Sequence, residues 1–238
     1  MTETLPEDWS RALCVVAHPD DLEYGMAGAI AKWTAAGKEV SYLLVTRGEH
    51  GIDGMAPDDC ARVREEEERA SARVVGVDTV EFLDGHVDGM IEYGIPLRRD
   101  LALAIRRYRP EVLLSINFRE SWGGRSFNMA DHRNVGWALL DAARDAGNRW
   151  LFPDVLDGPT PWNGVRLVAF SNSPTTTHHV DIGAHVDAGI ASLREHAAYI
   201  EGLGDADFDP DPFLRGSARA AGEQAGCEYA VPFEVFEL

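Results

Sequence analysis

Only three cysteines stand in the 238 residues, Cys14, Cys60 and Cys227, far apart and without a C-x-x-C pair. Their spacing excludes a disulfide framework and a zinc knuckle, and fits packing thiols in a reducing compartment. Lysine is nearly missing: Lys32 and Lys38 stand alone, and arginine supplies the rest of 22 basic residues against 40 acidic ones. A net charge of −18 repels phosphate backbones and anionic lipid, so binding to nucleic acid or membrane surfaces by bulk electrostatics is excluded. No apolar run approaches the roughly 20 residues of a membrane span. The acidic stretch Met1–Ser10 has neither the basic nor the apolar region of a signal peptide, so a cytoplasmic location is expected. The first apolar run is not followed by G-x-G-x-x-G, which argues against a dinucleotide-binding module.

Short apolar runs alternate with longer amphipathic ones. Strands are expected at 11–17, 40–45, 79–83, 112–116, 165–170 and 179–182. Helices are expected at 25–36, 60–75, 96–108, 132–144 and 185–200, several closed by glycine or proline. This order predicts an α/β, Rossmann-like fold: a mostly parallel sheet with helices on both faces, in a single domain. Residues 1–10 read as an N-terminal extension, 11–200 as the domain, and 201–238 as a tail packed on it. Within that tail the acidic stretch 202–212 reads as an irregular loop before a final segment at 231–236.

In open parallel sheets ligands sit beyond the carboxyl ends of the strands. The first strand runs out at Ala17 and is followed by His18-Pro19-Asp20-Asp21-Leu22-Glu23. The crowded acids repel unless something positive lies between them, and a divalent cation satisfies an imidazole and carboxylates together. Helix capping by Asp20 and Asp21 is the alternative reading. Asp131-His132 begins the helix after the fourth strand, again at a strand's carboxyl side. His18, Asp21 and His132 make a two-histidine, one-carboxylate set, the three-ligand pattern of a catalytic zinc with an open position.

The stretch Ala17–Glu23 resembles the signature of the LmbE-like, or PIG-L, family of zinc-dependent N-deacetylases, and Asp131-His132-Arg133 resembles its second motif. Thr46-Arg47-Gly48-Glu49, Arg64 with Glu67, Asp88-Gly89, and Leu193 with His196 fall in register, so the resemblance runs from about Arg11 to Tyr199. It implies one zinc ion held by His18, Asp21 and His132, a metal-bound water as nucleophile, and Asp20 as general base. It also implies Arg64 and Asp88 as sugar contacts. The expected substrate is therefore a small molecule, an N-acetylated amino sugar or glycoconjugate.

One departure stands out. Many relatives carry His-Pro-Asp-His where this chain has Met129-Ala130-Asp131-His132, and methionine neither donates a proton nor stabilises an oxyanion. Asn128, His86 and His179 are the candidate replacements, with Asp131 as an accessory group. The loop 117–129, with Trp122-Gly123-Gly124, reads as a rim over the metal. The Glu65–Glu68 run reads as a solvated helix face, with Glu67 alone turned toward Arg64, and Trp33 and Trp137 read as core. The alternatives to an amino-sugar deacetylase are an amidase acting on another acyl amide, such as a thiol conjugate, and a non-catalytic metal- or sugar-binding relative. The sequence leaves open whether the chain forms a homo-oligomer.

Overall fold

The segment Arg11–Val16 (β2) is apolar from Ala12 onward because both its faces are covered. Ala12, Cys14 and Val16 face one core with Ile30 and Trp33 of helix α2 (Ala27–Ala35). Leu13 and Val15 face a second core with Leu97, Leu101 and Ile105 of α4 (Ile95–Tyr108) and Val135 and Leu139 of α5 (Ala130–Asp145). Alternate side chains of one strand thus feed two cores, as a parallel sheet between two helical layers requires. The computed structural model describes residues 2–153, 160–205 and 207–238.

Strands β3 (Glu39–Leu44) and β4 (Thr79–Phe82) extend the sheet on one side of β2, and β5 (Val112–Ile116) and β8 (Leu167–Ser171) on the other, all parallel. Beyond β8 the sheet continues through β10 (Ala230–Glu237), β9 (His178–Asp181) and β1 (Glu3–Thr4), giving the order β1-β9-β10-β8-β5-β2-β3-β4. β10 runs antiparallel to both of its neighbours. The chain moves one way from β2 to β3 and β4 and the other way to β5, so the topological switch lies between β2 and β5.

The expected sheet and helices stand, and the terminal regions need correction. The residues read as an N-terminal extension include β1, which pairs with β9 in the sheet. The span read as one helix at 185–200 is two, α6 (Val186–Arg194) and α7 (Ala197–Gly202), broken at Glu195-His196. The stretch 202–212 is not wholly irregular, because helix α8 (Pro210–Ala225) starts inside it; Ala206 lies outside the described residues. Asp209 caps α8 by accepting the Asp211 N–H at 3.0 Å, Pro210 opens it, and Gly226 closes it at φ 84°. Proline at the start and glycine past the end is the usual asymmetry of helix termini.

Candidate active site at the switch point

His18 follows β2 directly, and the loop after β5 leads into α5, which carries His132. The two motifs therefore flank the switch point. The 61° arrangement of the His18 and His132 rings puts their centroids 5.3 Å apart. Between β2 and α2 a short helix, α1 (Asp21–Gly25), starts at Asp21. Asp21 Oδ2 accepts the backbone N–H groups of Ala17 and His18, at 3.1 and 3.0 Å. Its Oδ1 lies 3.2 Å from Nε2 of His132.

Each imidazole is held from behind. Nδ1 of His132 donates to Asn128 Oδ1 at 2.9 Å, which leaves Nε2 as the lone-pair nitrogen facing the Asp21 oxygen. Nε2 of His18 donates toward Asp131 Oδ2 at 3.1 Å, so its Nδ1, 3.7 Å from Asp21 Oδ2, is the nitrogen turned to the same point. Two lone pairs and a carboxylate converging on one point fit a divalent cation, and carboxylate or amide partners on the far nitrogens are the usual support for histidine ligands. The ligand atoms of His18, Asp21 and His132 lie within 4.8 Å of one another. A second carboxylate pair, Asp88 and Asp131, stands behind His18, with oxygens satisfied by the N–H groups of His50, Gly89 and Ile91.

Asp20 is buried at the N-cap position with φ 88°, a strained conformation for a non-glycine residue, and makes no capping bond to α1. Its carboxylate faces the Arg64 guanidinium at 3.1 Å, and its N–H donates to Glu68 Oε2 at 3.2 Å. Burial raises the Asp20 pKa to about 6, against the opposing pull of Arg64. Against its burial, which alone would raise it, the two imidazoles beside Asp21 hold its carboxyl well below the ordinary carboxylate range. Burial alone lowers the His18 pKa, but Asp131, Asp21 and Asp88 together raise it well above the ordinary value. One neighbouring pair of carboxyls is thereby pushed apart, Asp21 ionised and Asp20 poised near neutrality.

A cavity of about 440 Å³ opens over these groups, and Asp20, Asp88, Met129 and His132 are among its walls. Trp122 also lines it, on the two-stranded ribbon of β6 (Ser121–Gly123) and β7 (Ser126–Phe127), with its ring 5.6 Å from that of His132. Of the three candidates to replace the Met129 function, Asn128 is committed to His132 and to the carbonyls of Asn117 and Arg119. His86 pairs with Asp100, and His179 sits on β9 at the far side of the sheet, bonded to Thr2; neither lines the cavity. Arg64 borders the cavity, where its terminal nitrogens hold Asp20 and the carbonyls of Pro19 and Gly48 under the Tyr199 ring and its Nε has no partner among the described residues.

Several wall residues lie outside the sequence reading. Tyr24, Tyr199 and Leu203 line the cavity, as does His50, whose Nδ1 donates to the Asp88 carbonyl at 2.8 Å. The acidic run on α3 (Pro57–Val74) is also corrected: Glu68 is fully buried, and Glu67 accepts the Ala198 N–H instead of pairing with Arg64. The helical period gives the signal, since Arg64 and Glu68, four apart, share a face. Trp33 is buried as expected, whereas Trp137 is half exposed against Phe118.

Residues 13–143, which span both motifs, match the model of the PIG-L family, described as GlcNAc-PI de-N-acetylase. The chain belongs to the PIG-L family. Among its PIG-L relatives is the diacetylchitobiose deacetylase of Thermococcus kodakarensis, 30% identical over 94% of this chain and 82% of that protein. A 1D-myo-inositol 2-acetamido-2-deoxy-alpha-D-glucopyranoside deacetylase of Thermobispora bispora is 27% identical over 80% of this chain and 79% of its own. In structure, the N,N'-diacetylchitobiose deacetylase of Pyrococcus horikoshii matches with a TM-score of 0.85 at 26% identity, over 97% of this chain and 85% of that one.

Proposed function

We propose that the protein is a metal-dependent N-deacetylase that hydrolyses the acetamide of a small amino sugar or related glycoconjugate, with one zinc ion held by His18, Asp21 and His132. The observation that carries this reading is the convergence of those three side chains at the switch point, with a fourth carboxyl, Asp20, beside them and held by Arg64. The relatives named above, deacetylases of acetamido sugars by name, support the substrate class. Zinc bound there supplies Lewis acidity and brings the pKa of a coordinated water toward about 7.

The protein's own groups do the proton work. Asp20 takes a proton from the attacking water as the amide carbon becomes tetrahedral, and returns it to the nitrogen as the C–N bond breaks. Arg64 fixes the Asp20 carboxylate from the cavity wall, and Arg64, Asp88 and His50 are the polar wall groups offered to the sugar. Tyr24, Trp122 and Tyr199 present apolar ring surface suited to a pyranose face.

Asp20→Asn tests the assignment because it preserves side-chain size and leaves the three proposed ligands in place. Zinc content is expected to match wild type, while kcat on an N-acetylated amino sugar falls about 10²–10⁴-fold with KM little changed. Near-normal turnover of the zinc-loaded variant removes Asp20 from the mechanism.

A further inference from the structure

Behind Asp20, on the side away from the cavity, lies a second group of metal-ligating side chains that the proposed chemistry does not use. Glu23 comes from α1, Glu68 from α3, and His196 from the break between α6 and α7. Glu68 and His196 are fully buried, and Glu23 is 2% exposed. Nε2 of His196 lies 3.6 Å from Glu23 Oε2 and 3.7 Å from Glu68 Oε2. Ser71 donates to the other Glu23 oxygen and touches Ser192, which walls the group from that side.

Two observations make this more than a pair of buried acids. Among the described residues, neither ring nitrogen of His196 has a hydrogen-bond partner, and neither have Glu23 Oε2 and Glu68 Oε1. Four orphaned polar atoms in one fully buried cluster are costly, since each forfeits its hydration without a compensating bond. The separations are also wrong for direct hydrogen bonds, which need about 2.7–3.2 Å. They are near the edge of a tetrahedron drawn around an ion with ligand bonds of about 2.1 Å, which is roughly 3.4 Å. The ligand atoms of the three residues all fall within 4.8 Å of one another. Two carboxylates in so dry a place call for a compensating cation.

We infer that Glu23, Glu68 and His196 form a second, buried divalent-cation site, distinct from the catalytic one. One imidazole and two carboxylates suit zinc or manganese better than magnesium or calcium. The ion is structural. It ties α1, α3 and the α6–α7 break together, and Glu68 carries that tie to Asp20, whose strained N–H it accepts.

Metal stoichiometry decides the matter. Wild type, His132→Ala and His196→Ala are each loaded with excess zinc or manganese, freed of loose metal by gel filtration, and analysed by inductively coupled plasma mass spectrometry. Two ions per chain are expected in wild type and one in each variant, with X-ray absorption on His132→Ala reading one nitrogen and two carboxylate ligands. A single ion in wild type with none in His132→Ala overturns the inference, as does a folded His196→Ala that keeps two. Should His196→Ala fail to fold, the other two proteins still give the answer. One ion in both wild type and His132→Ala would support the buried site and sink the catalytic one, so the two readings fail separately.

Discussion

Asn128 has no exposed surface, and both its amide hydrogens and its oxygen are engaged. Its Nδ2 donates to the carbonyls of Asn117 and Arg119, at 2.7 and 3.0 Å, and its Oδ1 fixes the His132 tautomer. On the proposed reading, Asn128→Ala is expected to lower zinc affinity about 10–100-fold, the usual worth of a group that orients a histidine ligand, measured by competition with a chromophoric chelator. His50 is the wall histidine with a free Nε2, because its Nδ1 is held by the Asp88 carbonyl. On the proposed reading, His50→Phe raises KM for an acetamido sugar at least about tenfold while zinc content stays at the wild-type level. Unchanged KM would place sugar recognition elsewhere on the wall. His18 and Asp21 are legible because they directly follow a strand that the sequence marks clearly, and His132 because it opens a helix whose apolar stripe is plain. His50 is not, because it lies in a loop whose path the apolar pattern does not encode. His179 misleads for the opposite reason: its strand is readable, but strand order is invisible in the sequence, and β9 lies four places from β2 in the sheet.

At the scale of elements, backbone contact decides where side chains fit. On α6, a Cβ at Gly189 would meet the Gly28 backbone nitrogen of α2 at 2.9 Å, so the two helices cross with no room for a methyl group. Gly189→Ala is expected to cost about 1–3 kcal/mol in chemical denaturation. A Cβ at Gly216, on the exposed face of α8, would meet nothing within 4 Å, and Gly216→Ala is expected to add about 0.5–1 kcal/mol. The pair of measurements separates packing from propensity. Glu234 of β10 gathers Arg119, Ser173 and Thr175 around one buried carboxylate. Burial pushes its pKa up, yet these partners win and depress it. A depressed carboxyl contributes stability above its unfolded pKa of roughly 4.3, and that contribution is lost as pH falls through the folded value. Glu234→Gln is therefore expected to lose about 1–3 kcal/mol at pH 7, with the gap to wild type closing below about pH 4 in urea titrations. The parallel strands are readable as continuous apolar runs. Helix α8 is hidden because only Pro210, Ala218 and Gly222 are buried, too narrow a stripe to register as a periodic pattern. The α6–α7 break is hidden because burying His196 there depends on partners distant in sequence.

For the whole molecule, the charge of −18 surrounds the cavity with a negative field. Raising ionic strength from about 10 to 150 mM shortens the screening length from about 30 to 8 Å. On the proposed reading, KM for a phosphorylated acetamido sugar is expected to fall several-fold over that range, while KM for an uncharged one stays flat. Equal behaviour of the two would mean that the field does not reach the site.

The placement of β10 has a consequence for biosynthesis. Residues 230–237 lie between β8 and β9, so until they are made and threaded home, the apolar strand Leu167–Ser171 is an open edge. Translation at about 5–20 residues per second leaves that edge exposed for several seconds while some sixty further residues are added. Such an edge is a template for wrong pairing. The nascent chain is thus a natural client for a holdase chaperone bound near Leu167–Ser171, and a ribosome stalled before residue 230 should display it there.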